Sequence, residues 1–494
     1  MSTNYEWVTA HTLVTLQIWQ EEGMFAHGMR PIYTFSNPND HYIKCPISGI
    51  SDDTGNYYYV SYPPFAFIFP HVIFNTLGID PDVLSLESLN LLLHFLCAVM
   101  LYLLIGNLLP ADSNRRAISI PALIAAAIYI FSPLPLWHHA NVYFADILVQ
   151  LFFIIGLYLS HRLLFAPGNQ SDRRLSALLF LTLFLMAYTE WIGFLFGICL
   201  AALALLFRKH VRHGVRVIWI SFFALLFSGL LTFFQYSTIS GITDFIDIVL
   251  NRYTERSGHL GKNEFYQLNA HLYLSKVYLR NYFPQFVIIG FLGLMMWIVK
   301  PLKVRLSTEE KVFLLLALLP ALLHHVVLFE FTLVHDMALV KTCVFISLLS
   351  GILLYRVQSA KISQEGIAFK IVPHFVIVSM LAFSAFLYHA HVIEPDGFSF
   401  KALGEEIRAN AGPDDTVFFK TTRTLGDFLI QAPENFVIAP QIQYYSGRCI
   451  QVVPDAASAR VHLQKYNKPQ GVIFTIENNR YQIEQMERIA IDSP

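Results

Sequence analysis

The sequence predicts a polytopic α-helical membrane protein of about ten spans, followed by a soluble α/β domain at the C-terminus. Three observations carry that prediction. The 494-residue chain is 55% hydrophobic and only 14% charged, with a mean hydropathy of +0.49. Apolar stretches of near-spanning length recur from residue 86 to residue 390. Beyond that point the composition becomes ordinary, and helix-like stretches alternate with short apolar strands. With a formal net charge of −1 and no basic tract outside short loops, no nucleic-acid partner is expected. Residues 1–23 mix polar and apolar side chains without an apolar core before a cleavage site, so no secretory signal peptide is expected.

Residues 8–22 place Leu13, Leu16, Ile18 and Trp19 near one helical face, with Gln17, Gln20, Glu21 and Glu22 elsewhere. That pattern predicts an amphipathic helix lying on a membrane rather than crossing it. A polar loop, 23–61, follows, and long loops in compact proteins are usually functional. The stretch 56–77 passes from Tyr57, Tyr58, Tyr59 and Tyr62 through Pro63-Pro64 into an apolar run too short to cross a bilayer. Two successive prolines lack N–H donors and push the preceding residue out of the α region, so a helix can start there but not pass through. The tyrosines are expected at headgroup depth, where the stretch is either a plain interfacial anchor or part of a substrate loop. Residues 1–85 thus form a first unit on the outer face.

Spans are expected at 86–108, 117–134, 143–160, 175–188, 191–207, 216–236, 285–299, 312–329, 337–355 and 371–390, the fourth and fifth being short. Basic residues alternate between loops. Arg115, Arg116, Arg162, Arg173, Arg174, Arg208, Lys209, Arg212, Arg216, Lys300, Lys303, Arg305, Lys311, Arg356, Lys361 and Lys370 fall in one set, and the short loops of opposite parity hold no Lys or Arg. The positive-inside rule makes the first set cytoplasmic, so both the N-terminal loop and the C-terminal domain face outward. The unit 86–390 carries a large outer loop at 237–283. The unit 391–494 reads as a mainly parallel sheet, with helices at 401–410 and 456–466 and strands at 416–419, 436–439, 449–453 and 471–474.

Of five cysteines, Cys97, Cys199 and Cys343 fall in spans as packing residues. Cys45 and Cys449 both fall on the outer side, either as free thiols or as a bridge pinning the C-terminal domain to the first loop. Charges at membrane depth are costly and therefore functional candidates. Asp146 opens the third span, Glu190 sits between two short spans, and His335, Asp336 and Lys341 lie at the outer end of the ninth. Their convergence on one side suggests a single polar cavity for an anionic ligand. Lys341 or the loop cations Arg252, Arg256, Lys276 and Arg280 would pair with phosphate, and a carboxylate would act as base or metal ligand. His138-His139 and His324-His325 lack the i,i+4 spacing of a helical metal pair.

The order of these features resembles the GT-C superfamily of polytopic glycosyltransferases, in the branch of protein O-mannosyltransferases and lipid A aminoarabinose transferases. The segments are a helix ending in Gly23, the Y-x-x-Y-P-P loop through Tyr59, Tyr62, Pro63 and Pro64, and S-P-L-P-L-W-H-H-A-N-V-Y-F-A-D opening a span. The stretch V-H-D-M-A-L-V-K-T-C completes them. The resemblance spans most of residues 8–356. It implies sugar transfer from a polyprenyl-phosphate donor to a lipid, glycan or protein acceptor at the outer membrane face; separately, a bacterial inner membrane with the C-terminal domain periplasmic is expected. The resemblance also leaves room for a divalent cation. Asp146 matches the Asp that opens the span, and Lys341 falls near an expected phosphate-binding cation. The family's acidic pair falls at residues 8–10, where no acid stands. Glu6 is the nearest, and Asp40, Asp52 or Asp53 in the first loop are substitutes that also read as turn chemistry. The family also places a span before that pair, so the resemblance implies either an upstream extension or its loss in this branch. Two rivals stay open: a transporter or flippase, and a catalytically inactive scaffold binding a polyprenyl lipid or a partner.

Overall fold

The computed structural model describes residues 6–44, 49–109, 115–166, 172–259, 264–298, 306–359, 367–392, 400–421, 429–431, 436–476 and 483–491. Cys45, Lys300, Lys303, Arg305 and Lys361 lie outside them. Among the described residues seven helices are long and apolar enough to cross a membrane, or eight if a bent pair counts as one span. The chain is thus a multi-pass membrane protein. That pair, Ile120–Phe131 and Pro133–Asn141, bends by 58°, where Pro133 removes a donor and disfavours helix at Ser132. The expected fourth and fifth spans are helices of 16 and 15 residues, Asp172–Ala187 and Ile192–Leu206. Both pack against Gly214–Ser240. Thr308–Val327 lies between Ile192–Leu206 and Thr342–Gln358, and Val83–Leu108 packs against Ala145–Leu164. Leu268–Ile298 is one helix of 31 residues, so the second half of the 237–283 loop is the beginning of a long helix rather than a separate loop element.

The first helix, Glu6–Glu22, is a correction to the membrane-surface expectation. Val8, Leu13, Leu16 and Trp19 are buried, and so are the polar Thr9, His11, Thr12 and Thr15. It packs inside the protein, against Phe65–Leu77 and the C-terminal helix Pro440–Ser446. Phe65–Leu77 starts directly after Pro64 and stops at Gly78, whose φ of 66° is the left-handed conformation that glycine adopts without cost. Tyr57–Tyr59 pair antiparallel with Gly49–Ser51. Tyr58, Tyr59 and Tyr62 are buried in the protein rather than set among headgroups.

The C-terminal region holds a six-stranded mixed sheet in the order Leu429–Gln431, Phe436–Ile438, Ile450–Val453, Thr416–Thr421, Gln470–Ile476, Ile483–Ala490. Only the central strand Thr416–Thr421 is parallel to both neighbours; the other pairings are antiparallel, which corrects the mainly parallel expectation. Val417 and Phe419 pack with Leu403, Ile407 and Ile442, whereas Phe418 packs with Ala459 and Leu463 on the opposite face.

The first loop clamps this region to the membrane helices. Arg448 Nε donates to Asp40 Oδ1 at 3.0 Å, and the Cys449 N–H donates to Asp40 Oδ2 at 3.1 Å. Asn37 Nδ2 donates to the Pro413 carbonyl at 2.7 Å, and Tyr42 stacks on Tyr466. Cys449 is disulfide-bonded, while Cys97, Cys199 and Cys343 are free thiols. Burial pushes the Asp40 carboxyl up to about 6, the Arg448 guanidinium and the Cys449 N–H pulling it back only in part. A carboxyl whose folded pKa exceeds its unfolded value binds protons on folding. Its contribution is therefore full below about pH 4 and is lost as pH rises through about 6. Asp40→Asn is expected to flatten the dependence of thermal stability on pH between 4 and 6 by about 2–3 kcal/mol, read by unfolding scans in detergent.

Candidate active site

The site forms where four separate elements end at the same level of the bundle. Pro64 starts Phe65–Leu77 and leaves Tyr62 just outside it. Asp146 stands in the first turn of Ala145–Leu164, where helix N–H groups favour a carboxylate. Glu190 lies in the four-residue joint between Asp172–Ala187 and Ile192–Leu206, and Lys341 closes the 3-10 turn Asp336–Lys341. The joint around Glu190 is tight because Gly193 has no side chain. A Cβ there would collide with the backbone of Met186 and Ala187. Gly193→Ala is expected to cost about 1–3 kcal/mol and to displace Glu190, measured as a lowered unfolding temperature.

At the centre the Lys341 ammonium donates to Asp146 Oδ1 at 2.7 Å and lies 3.2 Å from Glu190 Oε1. His324, from the last turn of Thr308–Val327, places Nε2 2.9 Å from the same ammonium and 3.0 Å from Glu190 Oε1. All four side chains are fully buried. The ammonium can only donate and the carboxylate can only accept, so a neutral His324 serves one of them at a time through Nε2. The Ile192 N–H fixes the other Glu190 oxygen at 3.0 Å. Tyr62 donates to Asp146 Oδ2 at 3.3 Å, and Tyr236 donates to the Tyr62 carbonyl at 2.8 Å. Burial first, and the Asp146 carboxylate second, hold the Tyr62 phenol protonated well above its ordinary range. Arg256 lies over the rings of Tyr62 and Phe331, at 5.2 and 5.1 Å.

Beside this cluster is a cavity of about 260 Å³. Trp191, Phe194, Leu195, Val249, Val327 and Leu328 give it apolar walls, and Arg252, Arg256 and His324 line it as well. It is an oily slot carrying two guanidinium groups, with His324 between it and the buried carboxylates.

Of the residues singled out from sequence, Tyr62, Asp146, Glu190 and Lys341 come together, with Arg256 next to them. Tyr59 stacks on Tyr62, Pro63 and Pro64 start the helix behind it, and Arg252 lines the cavity. His335 borders the cluster, within electrostatic reach of Arg256 and Asp146, and faces Trp7 and Phe331. The rest lie elsewhere. Asp336 accepts from His138 Nε2 at 3.1 Å. Lys276 and Arg280 are exposed. Glu6 sits within electrostatic reach of Glu87 and Tyr445. Asp52 closes an Asx turn, accepting from Thr54, Asn56 and Tyr58. Burial alone would raise its pKa, but those hydrogen bonds outweigh it and hold the carboxyl below its usual range. Asp53 belongs to the same turn, its carbonyl accepting from the Tyr42 phenol. Turn chemistry therefore accounts for Asp52 and Asp53, and Asp40 is taken up by Arg448 and the Cys449 N–H. His324 lacks an i,i+4 partner in the sequence, and its partners come from the joint at Glu190 and the 3-10 turn ending at Lys341. Its one sequence signal was an ionisable group at a span end.

Asp146, Glu190 and His324 present ligand atoms within 4.8 Å of one another, a donor set of the kind that holds a divalent cation. The Lys341 ammonium already stands among those donors. A metal ion does not fit there with Lys341 in place.

No protein-family model matches the chain, and no curated protein matches its sequence. Solved structures do. ArnT from Cupriavidus metallidurans in the apo state matches with a TM-score of 0.55 at 13% identity, covering 95% of this chain and 90% of that one. The fold is the GT-C fold. ArnT bound to undecaprenyl phosphate matches with a TM-score of 0.52 at 13% identity, over 96% of this chain and 93% of that one. The archaeal oligosaccharyltransferase AglB from Archaeoglobus fulgidus, in complex with an inhibitory peptide and a dolichol-phosphate, gives a TM-score of 0.55 at 13% identity, over 96% of this chain and 66% of that one. Within this GT-C-like fold the buried cluster and the cavity share His324 as a common wall.

Proposed function

We propose that this protein is a membrane glycosyltransferase that moves a sugar from a polyprenyl-phosphate-linked donor to a lipid, glycan or protein acceptor at the outer membrane face. The observation that carries the proposal is the apolar cavity bearing Arg252 and Arg256 and walled by His324, which bonds to Glu190 and Lys341 of the buried cluster behind it. A prenyl chain suits the apolar walls, and guanidinium groups suit a phosphate oxygen pair. The GT-C fold, shared with proteins solved with undecaprenyl phosphate and dolichol-phosphate, supports the same donor class. The alternation of basic loops supports the outer face.

In this mechanism Arg252 and Arg256 hold the donor phosphate. The acceptor O–H or N–H attacks the anomeric carbon as the bond from that carbon to the phosphate oxygen breaks. The bond's electron pair leaves on the phosphate, and the acceptor proton passes to Asp146 or Glu190. Lys341 and the guanidinium groups stabilise the negative charge that develops on the leaving oxygen. The base role moves from Glu6 and the first-loop acids to this buried pair.

Mass spectrometry of the purified protein should detect a co-purified polyprenyl phosphate or its sugar conjugate, and Arg256→Ala should lose most of it. Recovery of bulk phospholipid alone from folded protein would overturn the donor assignment. A second reading, a lipid-binding scaffold without transfer, draws on the full burial of both carboxylates against an ammonium. Bound polyprenyl phosphate with no transfer to any acceptor would favour it.

A further inference from the structure

We propose that the Lys341 ammonium is a built-in replacement for a divalent cation, and that removing it opens a metal site formed by Asp146, Glu190 and His324. The three ligands come from the start of one helix, the joint between two others and the end of a fourth. Their ligand atoms nevertheless gather within 4.8 Å, as a coordination shell requires. Two carboxylates and an imidazole form a mixed oxygen and nitrogen set that suits Mn²⁺ or Zn²⁺. The group at their common focus is the ammonium, 2.7 Å from Asp146, 2.9 Å from His324 and 3.2 Å from Glu190.

The charge balance points the same way. Among the described residues the Lys341 ammonium is the cation in contact with both carboxylates, while Arg256 stands within electrostatic reach of Asp146 but over the rings of Tyr62 and Phe331. Without Lys341 the carboxylates would face each other with no fixed cation at the centre, and buried charges must be paired or bound to a metal. Arg256 cannot replace it, being held over the rings of Tyr62 and Phe331. Where the transferase reading holds, the cation that steadies the leaving phosphate is part of the chain and cannot be removed by a chelator.

The test is a count of bound Mn²⁺ by electron paramagnetic resonance on the full chain in detergent, after chelator treatment and gel filtration. Wild type should bind no Mn²⁺ tightly. Lys341→Met should gain one Mn²⁺ per chain, with a rise in unfolding temperature on adding the ion, and Lys341→Met combined with Asp146→Asn should lose both. Should Lys341→Met not be recovered folded, Lys341→Ser, which leaves space for water beside the carboxylates, replaces it. Tight Mn²⁺ binding by wild type that Asp146→Asn abolishes would overturn the proposal. So would a folded Lys341 variant that binds none. None of these outcomes depends on sugar transfer. A failed transferase assay with a gained Mn²⁺ site would reject the enzyme reading and keep this one.

Discussion

Lys341→Ala is expected to destabilise the protein by about 3–5 kcal/mol, the cost of leaving a buried charge without its partner. The mechanism is loss of pairing rather than loss of packing volume. Asp146 and Glu190 would both remain in a site from which water is excluded. Thermal unfolding in detergent measures the effect, and Lys341→Ala combined with Asp146→Asn and Glu190→Gln should recover much of it, because the uncompensated charges are then gone. A single variant as stable as wild type would mean that the cluster is hydrated and that its burial contributes little. Added Mn²⁺ should also recover part of the loss in Lys341→Ala and none in the triple variant.

Asp146→Asn and Glu190→Gln are each expected to lower transfer by about 10²–10⁴-fold, the usual contribution of a positioned general base. Both substitutions keep the shape of the side chain and remove its charge. Asp146 also accepts from Tyr62, so Asp146→Asn should disturb the loop as well as the chemistry, whereas Glu190 is fixed by the Ile192 N–H and His324. Single-turnover transfer from a polyprenyl-phosphate sugar separates the two. The base should lower the chemical step, and the orienting residue should change KM as well. Undiminished transfer in both variants would remove the buried pair from the mechanism.

The charged groups of the buried cluster were legible because charge is costly at membrane depth. Asp146, Glu190 and Lys341 stand out in an apolar sequence for that reason alone, and the structure brings them to one focus. The first helix was misplaced for a related reason. Apolar periodicity says which face leaves water, but it does not distinguish a lipid neighbour from a protein one, and the polar Thr9, His11, Thr12 and Thr15 are buried against protein partners. His11 bonds to Tyr33 at 2.6 Å, and Thr15 donates to the Ile32 carbonyl at 3.1 Å. Such partners come from loop residues whose proximity no local pattern reveals. The edge strand Ile483–Ala490 escaped notice because most of its side chains are exposed and carry no alternating apolar face. The central strands, buried on both sides, were plain as short apolar runs.

The clamp between Asp40 and Arg448 joins residues 408 positions apart in the chain. At about 5–20 residues per second, a ribosome needs roughly 20–80 s to make what separates them. For that interval the first loop is made but its partner is not, and Asp40 has only water or a helper protein to satisfy it. The nascent chain therefore completes its membrane insertion before its N-terminal and C-terminal portions meet. Any truncation before residue 448 leaves the loop around Asp40 waiting for a segment that never arrives, so quality control should read damage near Arg448 as disorder around Asp40.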